Sequence, residues 1–200
     1  MLGRTGMGKA LRRLLLSIAL ALQLGAVPAL ALAQAQAQEP LTEAVAARRV
    51  QAAYLYRFAG YVEWPNSALP QPDSPLHIGI WGDDALADDL TRLVAQRTVN
   101  GRRIKVRKLK DGDPLAGLHI LYIGSERGVR IAEAVSTLPP RGTLVVTNRP
   151  SALRYGSAIN FVLVNGQVRF EASPEAAGDR GITLSSRLLA VSQNLSGQVR

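Results

Sequence analysis

The sequence predicts an α/β fold, a three-layer sandwich with a mainly parallel sheet and a C-terminal antiparallel hairpin at its edge. Three observations carry this. The runs Leu76–Trp81 (LHIGIW), Leu118–Ile123 (LHILYI) and Thr143–Thr147 (TLVVT) are almost wholly apolar, as strands covered on both faces are. Stretches of helical period lie between them, as crossover helices do. Asn165-Gly166 stands between Ile159–Val164 and Gln167–Glu171, and Asn-Gly is the strongest short hairpin signal because both turn residues must accept positive φ.

Residues 1–33 read as a cleavable signal peptide. Arg4, Lys9, Arg12 and Arg13 form a basic start, Leu14–Leu24 is an apolar run, Pro28 breaks it, and Ala31-Leu32-Ala33 offers a cleavage site. Export implies the periplasm, with no direct membrane insertion after cleavage. Residues 34–40 (QAQAQEP) read as a disordered low-complexity spacer. Residues 41–200 form the single predicted domain.

Leu41–Val62 is predicted helical, with Thr42 as N-cap and Val45, Val50, Tyr54, Phe58, Tyr61 and Val62 at helical spacing. Asn66–Pro75 is a loop. After the strand Leu76–Trp81, Asp83 or Asp84 caps a helix with Leu86, Leu90, Leu93 and Val94 on one stripe. Arg103–Leu109 alternates basic and apolar residues, the mark of a strand with one wet face. Gly128–Leu138 is a helix before the strand Thr143–Thr147. Beyond the hairpin, Ala172–Asp179 is a short helix or loop and Thr183–Gln193 a last helix.

The formal net charge is +9. Removing the four basic residues of the leader leaves 20 of the 24 Lys and Arg against 15 Asp and Glu, so the exported chain carries +5. Arg97, Arg102, Arg103, Lys105, Arg107, Lys108 and Lys110 read as the solvated face of a strand, and an exported protein has no nucleic-acid partner to meet. Cysteine is absent, so neither a disulfide nor a cysteine-linked lipid can form, and stability must come from the core.

No catalytic constellation is legible. His77 and His119 each sit inside an apolar strand, which suits a hydrogen-bonded structural residue better than a general base. Neither His/Cys metal spacing, nor a nucleophile elbow, nor a glycine-rich phosphate loop occurs, so neither metal nor cofactor is expected. In a parallel α/β sheet the binding crevice lies beyond the carboxyl ends of the strands. Asp83, Asp84, Ser125, Thr147 and Asn148 converge there as candidate ligand-binding residues, although each is also a good turn or capping residue.

The densest signal is Tyr54–Pro65, YLYRFAGYVEWP. It holds Tyr54, Tyr56, Phe58, Tyr61 and Trp64, half of the ten aromatic residues of the chain. Phe58 and Tyr61 suit the core. Too many rings crowd one helix end for all to turn inward, so Tyr54 and Trp64, with Arg57, are the candidate partner-binding residues.

Taken in order, AAYLYRFAGYVEWP (Ala52–Pro65), LHIGIWGDD (Leu76–Asp84), VNGRRIKVRKL (Val99–Leu109), LHILYIG (Leu118–Gly124), LVVTN (Leu144–Asn148), AINFVLVNGQVRFEAS (Ala158–Ser173) and GITLSSRLLAVS (Gly181–Ser192) resemble the YfiR family of periplasmic proteins. The resemblance implies a non-catalytic, homodimeric α/β protein. It implies binding to the periplasmic sensing region of an inner-membrane diguanylate cyclase, which the protein represses, lowering cyclic di-GMP. Family members carry cysteines for redox-responsive disulfides; this chain has none, so that route is closed to it. After Phe170 the chain reads Glu-Ala-Ser-Pro where the family shows Glu-Ile-Asn. The alternative from another class is a periplasmic small-ligand-binding module serving a sensor or transport system, with its site at the crevice residues.

Overall fold

A computed structural model describes residues 27–69, 71, 73–124 and 131–193. The chain divides into two compact units, Met1–Val45 and Ala46–Arg200. Helix α1 (Val27–Phe58) begins in the first unit and ends in the second. Most of the predicted signal peptide lies outside the described residues. Within them, residues 34–40 are helical where the composition predicts a disordered spacer, and Thr42 is inside the helix, not at its start. Ala and Gln are strong helix formers, which lets the helix run through a segment of low complexity.

The second unit is built on a seven-stranded sheet. Its strands are β2 (Leu76–Trp81), β3 (Thr98–Val99), β4 (Arg102–Leu109), β5 (Ile120–Ile123), β6 (Leu144–Thr147), β7 (Ile159–Val164) and β8 (Gln167–Ala172), in the order β3-β4-β2-β5-β6-β7-β8. The five strands β4-β2-β5-β6-β7 are parallel, and β3 and β8 close the edges antiparallel. Numbered along the chain, the parallel core has the order 2-1-3-4-5 of doubly wound sheets, whose switch point falls between the first and third strands, here β2 and β5. The hairpin at Asn165 (φ 51°) and Gly166 (φ 73°) forms as predicted, and β7 pairs with β8 from Ile159↔Ala172 to Val164↔Gln167. Asn100 (φ 51°) and Gly101 (φ 78°) make a second such turn, joining β3 to β4.

Side chains of alternate strand residues fall into two apolar layers, which makes the three-layer sandwich. On the first face, Ile78 and Ile80 of β2, Ile120 and Tyr122 of β5 and Val146 of β6 meet Leu55 and Phe58 of α1. Leu86, Leu90 and Val94 of α2 (Asp84–Val94) pack in the same layer. On the second face, Leu121 and Ile123 of β5 and Val145 of β6 meet Ala134 of α3 (Ile131–Thr137), with Leu109, Leu118 and Leu138. All eight residues of β5 and β6 are buried, as apolar runs between two layers must be.

Short elements escape sequence reading. The connection after α1 forms β1 (Val62–Glu63), which pairs antiparallel with β9 (Thr183–Leu184) as a separate two-stranded sheet. The predicted last helix is therefore split. Its first residues are β9, and α5 covers only Ser186–Ala190, capped by Ser185 Oγ accepting from Leu188 N–H. Helix α4 (Pro174–Gly178) starts at Ser173 with proline at its first turn, which fits a short helix in Ala172–Asp179.

Buried Arg180 holds the end of α4 to the rest of the unit. Its guanidinium donates to Thr143 O at 2.8 Å and to Pro139 O at 2.5 Å, and burial alone pushes its pKa below the usual arginine value. Arg180→Ala would leave both carbonyls without this donor, and a hydrogen bond to a charged group is worth about 1.5–3 kcal/mol. The expected outcome is a stability loss of about 2 kcal/mol, offset in part by the cation's release from burial. Urea unfolding, with unchanged slope and a lower midpoint, checks it.

Candidate functional site

The aromatic end of α1 docks on the C-terminal hairpin. Phe58 lies 5.9 Å from Phe161 and 5.1 Å from Phe170, ring centre to ring centre, and Tyr54 lies 5.3 Å from Phe170. Phe58 is fully buried, as expected. Tyr61 is not: 39 % of it is exposed, because the chain has left the helix and turned outward at Gly60. The outer side of this cluster opens into a cavity of about 250 Å³ lined by Tyr54, Arg57, Tyr61, Arg187, Leu188 and Val191, with Phe58 and Phe170 behind them. Two cations, two tyrosines and the exposed Val191 thus share one rim.

Of the three candidate partner-binding residues, Tyr54 and Arg57 meet in this cavity and Trp64 does not line it. Trp64 is half-buried against the first apolar layer, edge-on to the His119 ring at 5.7 Å, and its indole Nε1 is buried without a hydrogen-bond partner among the described residues. Sequence reasoning missed Arg187 and Val191, which stand about 130 residues further along the chain. The pairing of β9 with β1, and the bond from Ser185 N–H to Tyr61 O at 3.0 Å, bring α5 beside α1.

His119 lies beside Trp64 and has structural work, and the His77 ring stacks on it at 6.1 Å. His119 Nδ1 accepts from His77 N–H at 3.0 Å, and His119 Nε2 lies 2.9 Å from Ala68 O, so the neutral ring with its proton on Nε2 satisfies both contacts. Burial, first of all, holds the His119 pKa below its usual value, opposed by the bond to Ala68 and reinforced by Arg102. His77 is lowered as well, by burial and then by His119, Lys105 and Arg107.

At the carboxyl ends of the strands, the predicted crevice residues have local partners. Asp83 caps α2, its Oδ1 accepting from Leu86 N–H at 2.8 Å, and Asp84 occupies the first turn, exposed. Thr147 is fully buried and donates to Asn160 Oδ1 at 2.8 Å, with Ser157 Oγ at 3.0 Å. Asn160 Oδ1 also accepts from Arg149 N–H at 2.9 Å, and its Nδ2 donates to Glu171 Oε2 at 3.1 Å. Asn148 is half-buried, with Oδ1 buried and unpartnered among the described residues. Ser125 lies outside the described residues.

At the switch point itself the backbones touch. Gly124 N–H donates to Trp81 O at 2.7 Å, and a Cβ on Gly124 would stand 2.6 Å from Gly82 O. The Thr147–Ser157–Asn160 chain was not anticipated, although an asparagine inside the apolar run INFVLV was its visible trace. Among the described residues, no group of three or more His, Cys, Asp or Glu is disposed to hold a metal ion, and no helix is long and apolar enough to cross a membrane.

These features define an α/β sandwich domain of doubly wound order, whose described crevice groups mostly cap or brace its own backbone and whose aromatic rim faces solvent. The YfiR/HmsC-like family model matches residues 48–193, most of the chain and nearly all of its second unit, and the chain belongs to that family. No curated protein matches it.

Proposed function

We propose that the chain is an exported regulatory protein that binds the periplasmic sensing region of an inner-membrane diguanylate cyclase and holds the enzyme off, lowering cyclic di-GMP. The observation that carries this reading is membership of the YfiR/HmsC-like family over residues 48–193. The rim of Tyr54, Arg57, Tyr61, Arg187 and Val191 supports it with a surface suited to a protein partner. Aromatic and arginine side chains around a small apolar depression are the residue types that dominate interface energetics. A partner segment bearing a carboxylate beside an apolar side chain would satisfy both arginines and fill the cavity. The small-ligand alternative at the crevice draws less support, because Asp83 and Thr147 are engaged locally and Gly82 meets Gly124.

Deleting the gene should raise cellular cyclic di-GMP, and restoring the exported protein should lower it again. Unchanged cyclic di-GMP in the deletion, with the candidate cyclases expressed, refutes the repressor reading. A second expectation concerns the rim. Arg57→Glu with Arg187→Glu should weaken co-purification with the cyclase at least tenfold, about 1.4 kcal/mol. Both residues are exposed, so the melting temperature should move by no more than about 2 °C. Undiminished co-purification would remove the rim from the interface.

A further inference from the structure

A second cavity, on another side of α1, gathers arginines from three segments. Arg49 of α1, Arg92 of α2 and Arg97 of the connection to β3 line a depression of about 610 Å³, with Ala52, Leu93 and Ala95 as its apolar part. At 100° per residue, Arg49 and Ala52 face away from the side of α1 that carries Tyr54 and Arg57. The small side chains of Ala52 and Ala95 leave the space open.

Much of the cationic lining is fixed in place. Asp89, whose side chain is only 9 % exposed, accepts from Arg48 Nε at 2.9 Å and from Arg92. The bond from Arg48, more than any other contact, holds the Asp89 carboxyl below its usual pKa, so it stays ionised. Arg97 lies over the Tyr56 ring, 5.5 Å from its centre, and the Tyr56 hydroxyl donates to Thr98 O at 3.3 Å. Asp88, the neighbouring acid, pairs with Lys108 at 2.8 Å. Three arginines (49, 92 and 97) therefore line the cavity against one carboxylate, Asp89, and two positive charges remain in excess there.

We propose that this cavity is a binding site for a small soluble dianion, carrying carboxylate or phosphate groups on a compact body. Guanidinium forks match the planar or tetrahedral oxygens of those groups in bidentate fashion. Side chains already held by Asp89 and Tyr56 lose less freedom on binding than free ones, which raises affinity without a new contact. The volume lies within the roughly 300–1,000 Å³ of small-molecule sites and exceeds what a lone inorganic anion fills, so a body must accompany the charges. Leu93 and Ala95 offer that body an apolar surface. The proposal does not depend on the regulatory reading, since neither the rim nor a partner enters it.

Titration calorimetry of the purified protein with citrate and with glycerol 3-phosphate tests it, with glycerol as the uncharged control. Saturable one-site binding of at least one anion is expected, and none of glycerol. Arg49→Gln with Arg97→Gln should weaken it at least tenfold, about 1.4 kcal/mol. Arg49→Lys with Arg97→Lys keeps the charge and removes the forks, and it too should weaken binding. Arg103→Gln with Lys105→Gln removes the same charge from the exposed side of β4 and should bind as the parent does. Equal weakening by the Arg49/Arg97 and Arg103/Lys105 glutamine pairs would reduce the effect to diffuse charge and overturn the site. Absence of binding to both anions at millimolar concentration overturns it as well. So would binding only to phosphatidylglycerol vesicles, since the occupant would then be a lipid surface.

Discussion

Gly124→Ala is expected to lower the unfolding free energy by about 3 kcal/mol, the upper end of ordinary overpacking costs. For a chain of this length that is about 6–12 °C in melting temperature. The cause is backbone against backbone. Gly124 N–H is bonded to Trp81 O at 2.7 Å, and an added methyl would stand 2.6 Å from Gly82 O and 3.0 Å from its carbonyl carbon. Neither atom can swing aside as a side chain can, so the backbones just beyond the ends of β2 and β5 must part. Gly79→Ala is the informative comparison. Its methyl would meet Leu109 Cδ1 and Leu118 Cδ1 at 2.7 Å, and those are ends of flexible side chains. A loss of about 1 kcal/mol is expected there. Thermal and urea denaturation of both variants check the pair, and a loss at Gly124 no larger than that at Gly79 would contradict the argument.

Acidification is expected to destabilise the fold through His119. Its folded pKa lies below the usual value of about 6.5, so on acidification the unfolded chain takes up the proton first. The stabilisation is present in full above about pH 6.5 and is lost as the pH falls from there through the folded value. Over that window the slope approaches but does not exceed about 1.4 kcal/mol per pH unit for this one group. The geometry says why. A second proton would sit on Nδ1, which accepts from His77 N–H at 3.0 Å, and it would face that donor directly. The charged ring would also stand near Arg102, with His77, Lys105 and Arg107 clustered on the adjoining strands and no carboxylate among the causes of its shift. Unfolding free energies measured between about pH 7.5 and pH 5 should show the decline, and His119→Gln should flatten it. A variant that kept the full slope would move the effect to other groups.

The tie between His119 and Ala68 O also bears on Trp64. Trp64→Ala should reduce stability, by less than the roughly 3–5 kcal/mol of a fully buried Trp, because the ring is only half covered. A loss near zero would return Trp64 to the surface role that the sequence suggested for it.

What the sequence determined by itself is local or periodic. Continuous apolar composition marked β2, β5 and β6 as strands covered on both faces, and both layers are present. Asn165-Gly166 marked the hairpin because few other residues accept that backbone. Asp83-Asp84 announced the start of α2 through capping chemistry, and the structure makes Asp83 the cap. The motifs along residues 52–192 were enough to show the family resemblance, which the match over residues 48–193 bears out. Other features were set by contacts between residues far apart in the chain. Two-residue strands such as β1 and β9 carry no period of their own, and they form only because Val62 finds Leu184. The sequence assigned Tyr61 to the core and Tyr54 to a surface; the structure reverses them, because the hairpin's Phe161 and Phe170 draw Tyr54 partly inward while Tyr61 is left exposed. Arg187 reached Arg57, and Arg97 reached Arg49, only once the chain had folded. Charge and aromaticity can be counted in a sequence, but whether they converge on one surface depends on long-range packing, which no local pattern encodes.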